Sequence, residues 1–144
     1  MFFPEFLYQL SGRDQQVTWL DPSLQSSSDA AAALTVAEII QVPTGKVLLL
    51  QHVMNESSPG AGQNITNMLI DLLPPAGTFT VRLKSDDTDR AANTFFSLDW
   101  QGSIIVPPEW FIRAQSNFNA AVAVNTVALQ VAGAIIPVGN IQRV

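Results

Sequence analysis

Thr78-Phe79-Thr80-Val81-Arg82-Leu83-Lys84 is the stretch that decides how this chain is read. Phe79, Val81 and Leu83 alternate with Thr78, Thr80, Arg82 and Lys84. Successive side chains of a strand point to opposite faces, so this period of two sets the apolar groups against a core and the polar ones toward water. A helix, with its period of about 3.6, would scatter the same residues around its circumference. The segment is read as a strand, entered from the turn Pro74-Pro75-Ala76-Gly77 and left through a charged loop over 85–90.

Working outward, the same punctuation repeats. Residues 34–42 form a strand candidate closed by Pro43-Thr44-Gly45, and 46–54 is almost all apolar, which suits a strand buried on both faces. Residues 55–63, with Ser57-Ser58-Pro59-Gly60 and Gly62, read as a loop, and 64–73 as a strand or a short helix, the strand preferred. Residues 94–100 and 103–106 read as a pair around Gln101-Gly102, and 110–114 follows Pro107-Pro108. Residues 118–124 and 126–131 join at Asn125, with alternation returning in Val127, Leu129 and Val131, and 134–138 ends the series. Eight to ten strands over about 110 residues, with no long helical pattern, predict an all-β fold, a β-sandwich of the jelly-roll kind. An immunoglobulin-like sandwich is the alternative, although the chain has no cysteine for that fold's Cys…Trp…Cys signature.

The chain divides near residue 33 into an N-terminal arm or linker, 1–33, and a sandwich domain, 34–144. The arm holds a polar run, Gln25-Ser26-Ser27-Ser28, but also Phe2, Phe3, Phe6, Tyr8 and Trp19. Aromatic side chains bury large areas, so such an arm is expected to pack, either on a neighbour or back on its own domain. Its first residues lack a basic start, and Pro4 and Glu5 break the apolar run, which makes a poor signal peptide. No window approaches the ~18 consecutive apolar residues of a membrane span.

Of the 144 residues, 47% are hydrophobic and 13% charged, about half the usual charged share of ~25%. So few charges leave much surface without solvated groups, which predicts burial against other subunits. The net charge of −5 and the scatter of Arg13, Arg82, Arg90, Arg113 and Arg143 argue against binding a nucleic-acid backbone.

Catalytic chemistry has few residues to draw on. His52 is the sole histidine and lies in an apolar run, without a G-x-S-x-G nucleophile motif anywhere in the chain. It reads as a packed or interface histidine; one histidine cannot make the cluster of a metal-binding jelly roll. Asp86-Asp87-Thr88-Asp89 is the densest acidic cluster and could offer oxygens to a hard cation, but it lacks the EF-hand glycine and closing glutamate. A solvated loop between strands is the plainer reading. Asp71, Asp99 and Glu109 are too dispersed to be named a glycosidase pair. Asn55-Glu56-Ser57 and Asn64-Ile65-Thr66 match the glycosylation sequon. Trp100 and Trp110 could stack on sugar rings, but in apolar runs they read first as core or interface anchors.

Three segments carry a resemblance. Val42-Pro43-Thr44-Gly45-Lys46-Val47-Leu48-Leu49-Leu50-Gln51 resembles the opening of small β-sandwich proteins in tailed-bacteriophage particles. Trp100-Gln101-Gly102-Ser103-Ile104-Ile105-Val106-Pro107-Pro108 is similar to their strand-turn-strand returning to a proline corner. Gly133-Ala134-Ile135-Ile136-Pro137-Val138-Gly139-Asn140-Ile141 looks like a phage structural C-terminus, though an arginine is more usual where Val138 stands. The resemblance spans about residues 40–144 and leaves out the arm. It implies a virion structural protein without catalysis or cofactor, assembled on a capsid or tail lattice, commonly as a trimer. The leading expectation is a capsid decoration (cement) protein bound to the major capsid protein at the capsid surface, made in the host cytoplasm. A neck, tail or fibre component and a carbohydrate-binding module are the alternatives.

Overall fold

The computed structural model describes residues 18–31, 34–90, 95–120 and 124–138, the first of these as backbone alone. Eight strands run in order: β1 (Thr18–Ala31), β2 (Thr35–Gln41), β3 (Lys46–Ser58), β4 (Ile65–Leu73), β5 (Val81–Asp86), β6 (Phe96–Val106), β7 (Phe111–Phe118) and β8 (Val124–Pro137). They form two four-stranded sheets, β1-β8-β3-β6 and β2-β7-β4-β5. β1 pairs with β8, β2 with β7, β3 with β6 and β4 with β5, all antiparallel. The chain is thus one long hairpin whose successive strand pairs fall alternately in the first and second sheet. That winding is the jelly roll, as expected from the strand count.

The core lies between the sheets. Leu48, Leu50 and Val53 of β3 and Val127, Leu129 and Val131 of β8 meet Met68, Ile70 and Leu72 of β4 and Ile112, Ala114 and Phe118 of β7. In β7 and most of β8 every second residue is buried, as a strand with one face on a core requires.

Four local readings change. Residues 18–31, expected as arm, form edge strand β1 on β8; polar Ser and Gln side chains hide a strand whose hydrogen bonds come from backbone. β3 continues through residues 55–58, expected as loop, because Asn55 and Ser57 occupy the inward positions and find partners there. Gln101-Gly102 is strand rather than turn: β6 runs unbroken, and a Cβ on Gly102 would lie 2.5 Å from the Trp100 ring. Here the glycine makes room for an indole. The reversal expected at Asn125 falls earlier, between the end of β7 at Phe118 and the start of β8 at Val124.

β5 itself is a strand, but its alternation slips. Arg82 stands opposite Asp71 and Lys84 opposite Ile70, leaving Leu83 as the extra residue of a bulge. Lys84 therefore takes a core-side register position, and its ammonium reaches across to the Asp99 carbonyl of β6 at 2.5 Å. Leu83 packs against the core, while Phe79 and Val81 stay 53% and 39% exposed. A sheet edge cannot bury what a central strand would.

Candidate interaction surface

The jelly-roll winding gathers the loops into two ends. Strand order places the β1–β2, β3–β4, β5–β6 and β7–β8 connections at one end, called here the polar end. The β2–β3, β4–β5 and β6–β7 connections share the other with the start of β1 and the close of β8, called the apolar end.

Beneath the polar end lies a buried hydrogen-bonded network. Asn55 Nδ2 donates to the Leu69 carbonyl at 3.1 Å and the Gln115 carbonyl at 3.0 Å, linking the first sheet to two strands of the second. Ser57 Oγ donates to Asn55 Oδ1 at 2.7 Å and lies 2.7 Å from Ser116 Oγ. Each hydroxyl has one proton, so Ser116 donates to Ser57 and Ser57 to Asn55. Nearby, Asn125 Oδ1 accepts from the Gly60 amide at 2.9 Å, and Asn125 Nδ2 donates to Gln63 Oε1 at 3.1 Å. All five polar residues are fully buried. The sequon at Asn55 is therefore out of reach of glycosylation in the folded chain.

The acidic cluster caps the same end. Asp86 accepts from the Thr88 amide at 2.8 Å and from Arg90 Nη2 at 2.5 Å, and Asp87 accepts from Asn67 Nδ2. The hydroxyl and amide of Thr88, then the Arg90 guanidinium, lower the Asp86 pKa from 3.8 to about 2. Arg90 is itself fixed: its backbone bridges Ile65 in both directions and its guanidinium lies 5.0 Å from the Phe96 ring centre. The loop is a tied turn, and among the described residues no group of three or more metal-ligating side chains gathers there or elsewhere.

The same end also exposes apolar side chains: Leu34, Phe95 and Val124, at or next to strand ends, are 53%, 59% and 50% exposed.

The apolar end differs in kind. An apolar hollow of about 130 Å³ opens between the sheets, lined by Ile40, Val42, Pro43, Leu48, Ile112 and Ile135, with Gln41 at its margin. Trp110 packs on the core and takes the Phe79 ring edge-on at 5.8 Å between centres. Glu109 carries a left-handed backbone, φ 67°, held because its amide donates to the Val42 carbonyl at 2.9 Å while its carboxylate accepts from Thr44 Oγ1 at 3.1 Å.

The residues singled out for catalysis do not converge. His52 and Asp99 meet on the outer face of the first sheet, half-exposed, with Nε2 against Oδ1. Asp71 lies fully buried on the outer face of the second sheet, between Arg82 and Arg113 Nη2, the latter at 2.6 Å. The thickness of the sandwich therefore separates Asp71 from Asp99, and Glu109 stands at the apolar end. Trp100 and Trp110 both pack, partly buried, against the core. The signal that sequence reading missed was polar: Asn55, Ser57, Gln63, Ser116 and Asn125 carry no pattern that separates a buried network from a loop.

No protein-family model matches the chain, nor does any curated protein. Solved structures with similar strands include infectious bursal disease virus, Gx strain (16% identity, 88% of this chain, 33% of that chain, TM-score 0.38). Another is the PBSX exported protein XepA (12% identity, 88% of this chain, 39% of that chain, TM-score 0.45). A third is a xylan-binding domain of carbohydrate-binding family 22 (12% identity, 88% of this chain, 91% of that chain, TM-score 0.43). The chain spans about a third to two-fifths of the first two structures. With TM-scores below 0.5, these likenesses carry no functional argument, and the fold stands on its strand order.

Proposed function

We propose that the chain is a non-enzymatic virion structural protein, a capsid decoration (cement) protein that binds and stabilises the major-capsid lattice. The observation that carries this reading is the exposure of three large apolar side chains, Leu34, Phe95 and Val124, each half-exposed or more, at the end of the sandwich that holds the buried polar network. Covering the remaining surface of each side chain contributes roughly 1–2 kcal/mol, a useful share of a lattice contact repeated many times over a particle. The low charge content and the segments resembling small phage β-sandwich proteins support the same reading. Self-association, with a trimer favoured, fits a lattice of capsid subunits.

The test is occupancy. Particles from lysates of the phage carrying this gene, separated on a density gradient, retain the chain in lattice-scale copy number on heads lacking tails. Phe95→Ser and Val124→Ser leave the melting temperature unchanged and strip the chain from those heads. Finding the chain only with tails would transfer it to the neck, tail or fibre reading. Finding it in neither fraction would overturn the virion assignment.

A further inference from the structure

The two lateral sides of the sandwich treat their free strand edges differently. On one side run β5 and β6, the outer strands of the second and the first sheet. β5 is six residues long and carries the bulge at Leu83. Lys84 turns inward there, and its ammonium caps the Asp99 carbonyl of β6. A short strand, a bulge and an inward lysine are devices that keep an edge from pairing with another chain. β2, on the other side, has none of them. Its seven residues, Thr35–Gln41, contain no lysine, arginine, proline or glycine and pair with β7 without a break in register. The Leu34 carbonyl accepts from the Phe118 amide at 2.7 Å, and the Val42 amide donates to the Trp110 carbonyl at 2.8 Å. Backbone groups alternate in direction along a strand, so the even-numbered residues between these two also face β7. Thr35, Ala37, Ile39 and Gln41 therefore turn four N–H and four C=O groups to the open edge, and among the described residues nothing bonds to those groups.

An extended backbone is what offers donors and acceptors at the matching repeat of about 6.8 Å between alternate residues. A second copy of β2 is itself such a strand. Laid antiparallel with Ala37 on the two-fold axis, it sets Thr35 opposite Ile39, Val36 opposite Glu38 and Leu34 opposite Ile40. This register keeps the two Glu38 carboxylates from facing each other, as an axis through Glu38 itself would not. It also uses both exposed aliphatic side chains of this edge. Ile39, 50% exposed, gains a β-branched neighbour on the outer face. Leu34, 53% exposed, comes beside Ile40 on the inner face, next to the hollow that Ile40 and Val42 line. We propose that β2 pairs with β2 of a second copy in this register, joining two four-stranded sheets into one of eight. The low charge content, which leaves surface to be buried between subunits, agrees with such a pair. The inference goes beyond the capsid reading and stands without it, and it sets a two-fold contact at this edge in place of the favoured trimer.

Sedimentation of the full chain over a range of concentrations should show a dimer that dissociates on dilution. A monomer throughout, or a trimer, would overturn the proposal. At concentrations where the dimer forms, the Ala37 and Ile39 amides should be protected from hydrogen exchange, and dilution should remove that protection. Fast exchange of both amides within the dimer would put the contact elsewhere and overturn the strand pairing. Single cysteines read the register, since the chain has none of its own. Ala37→Cys should join two chains by a disulfide on mild oxidation, because the two Cα atoms stand about 5.5 Å apart across the axis. Ile39→Cys, opposite Thr35 rather than its own equivalent, should not. No cross-link at Ala37→Cys, or an equally fast one at Ile39→Cys, would overturn the register.

Discussion

The two ends of the sandwich solve the same problem in opposite ways. Both must close the gap where the sheets stop pairing. The polar end fills it with Asn55, Ser57, Gln63, Ser116 and Asn125, every one buried and hydrogen-bonded, under a loop tied by Asp86 and Arg90. The apolar end leaves an open hollow lined by aliphatic side chains and Pro43, and carries the Phe79–Trp110 ring pair at the same end. A satisfied polar network is directional and tolerates little change, because each lost partner strands a buried group at a cost of about 1–3 kcal/mol. An apolar rim is non-directional and degrades gradually. The polar end is thus the end built to hold a fixed shape.

The largest break in this contrast comes from Asn55→Asp. The side chain keeps its shape but loses both donors, and sets a carboxylate against the Leu69 and Gln115 carbonyls. An uncompensated buried charge of this kind costs about 3–5 kcal/mol, read as a lower denaturant midpoint at unchanged slope. A loss below 1 kcal/mol would mean the network does not fasten the sheets.

Gly133→Ala tests the frame that holds both ends. β1 and β3 each shift register beside Gly133, and a Cβ there would sit 2.1 Å from the Leu49 carbonyl oxygen. Backbone has to move, and overpacking of this sort costs about 3 kcal/mol. The corresponding change at Gly102 meets the Trp100 ring rather than backbone, so the indole can turn aside. Gly133→Ala should therefore destabilise the chain more than Gly102→Ala does, in parallel thermal melts. At the apolar end, Phe79→Ala removes one edge-to-face ring contact from an exposed position and should cost about 1 kcal/mol.

This contrast also explains what the sequence could disclose. Val127, Leu129 and Val131 showed their face because apolar side chains have no reason to alternate with polar ones except a core. Asn55 and Ser57 alternate inward just as strictly, but their partners come from strands 14 to 61 residues away, invisible along the chain. Gln25-Ser26-Ser27-Ser28 hid β1 for the same reason, its pairing lying in backbone groups that every residue possesses. At β5 the alternation was sound to Arg82, and only the bulge at Leu83 moved Lys84 to the core side. The candidate interaction surface was the least legible part. Leu34, Phe95 and Val124 lie far apart in sequence and come to the same end only through the winding.

The smallest predicted effect separates the ends by acid. With its folded pKa lowered to about 2 from 3.8, Asp86 adds stability wherever it is ionised in both states, that is above about pH 4. As pH falls the unfolded chain takes up the proton first, so this contribution shrinks between pH 4 and 2 and is gone below. Thr88 and Arg90 are the partners released, and both belong to the polar end. Asp86→Asn should therefore flatten the stability curve in that window while leaving the apolar end's Trp110 fluorescence unchanged. If the slope between pH 4 and 2 persists in the variant, the acid response belongs to other carboxylates, and the tied loop does not contribute to the rigidity of the polar end.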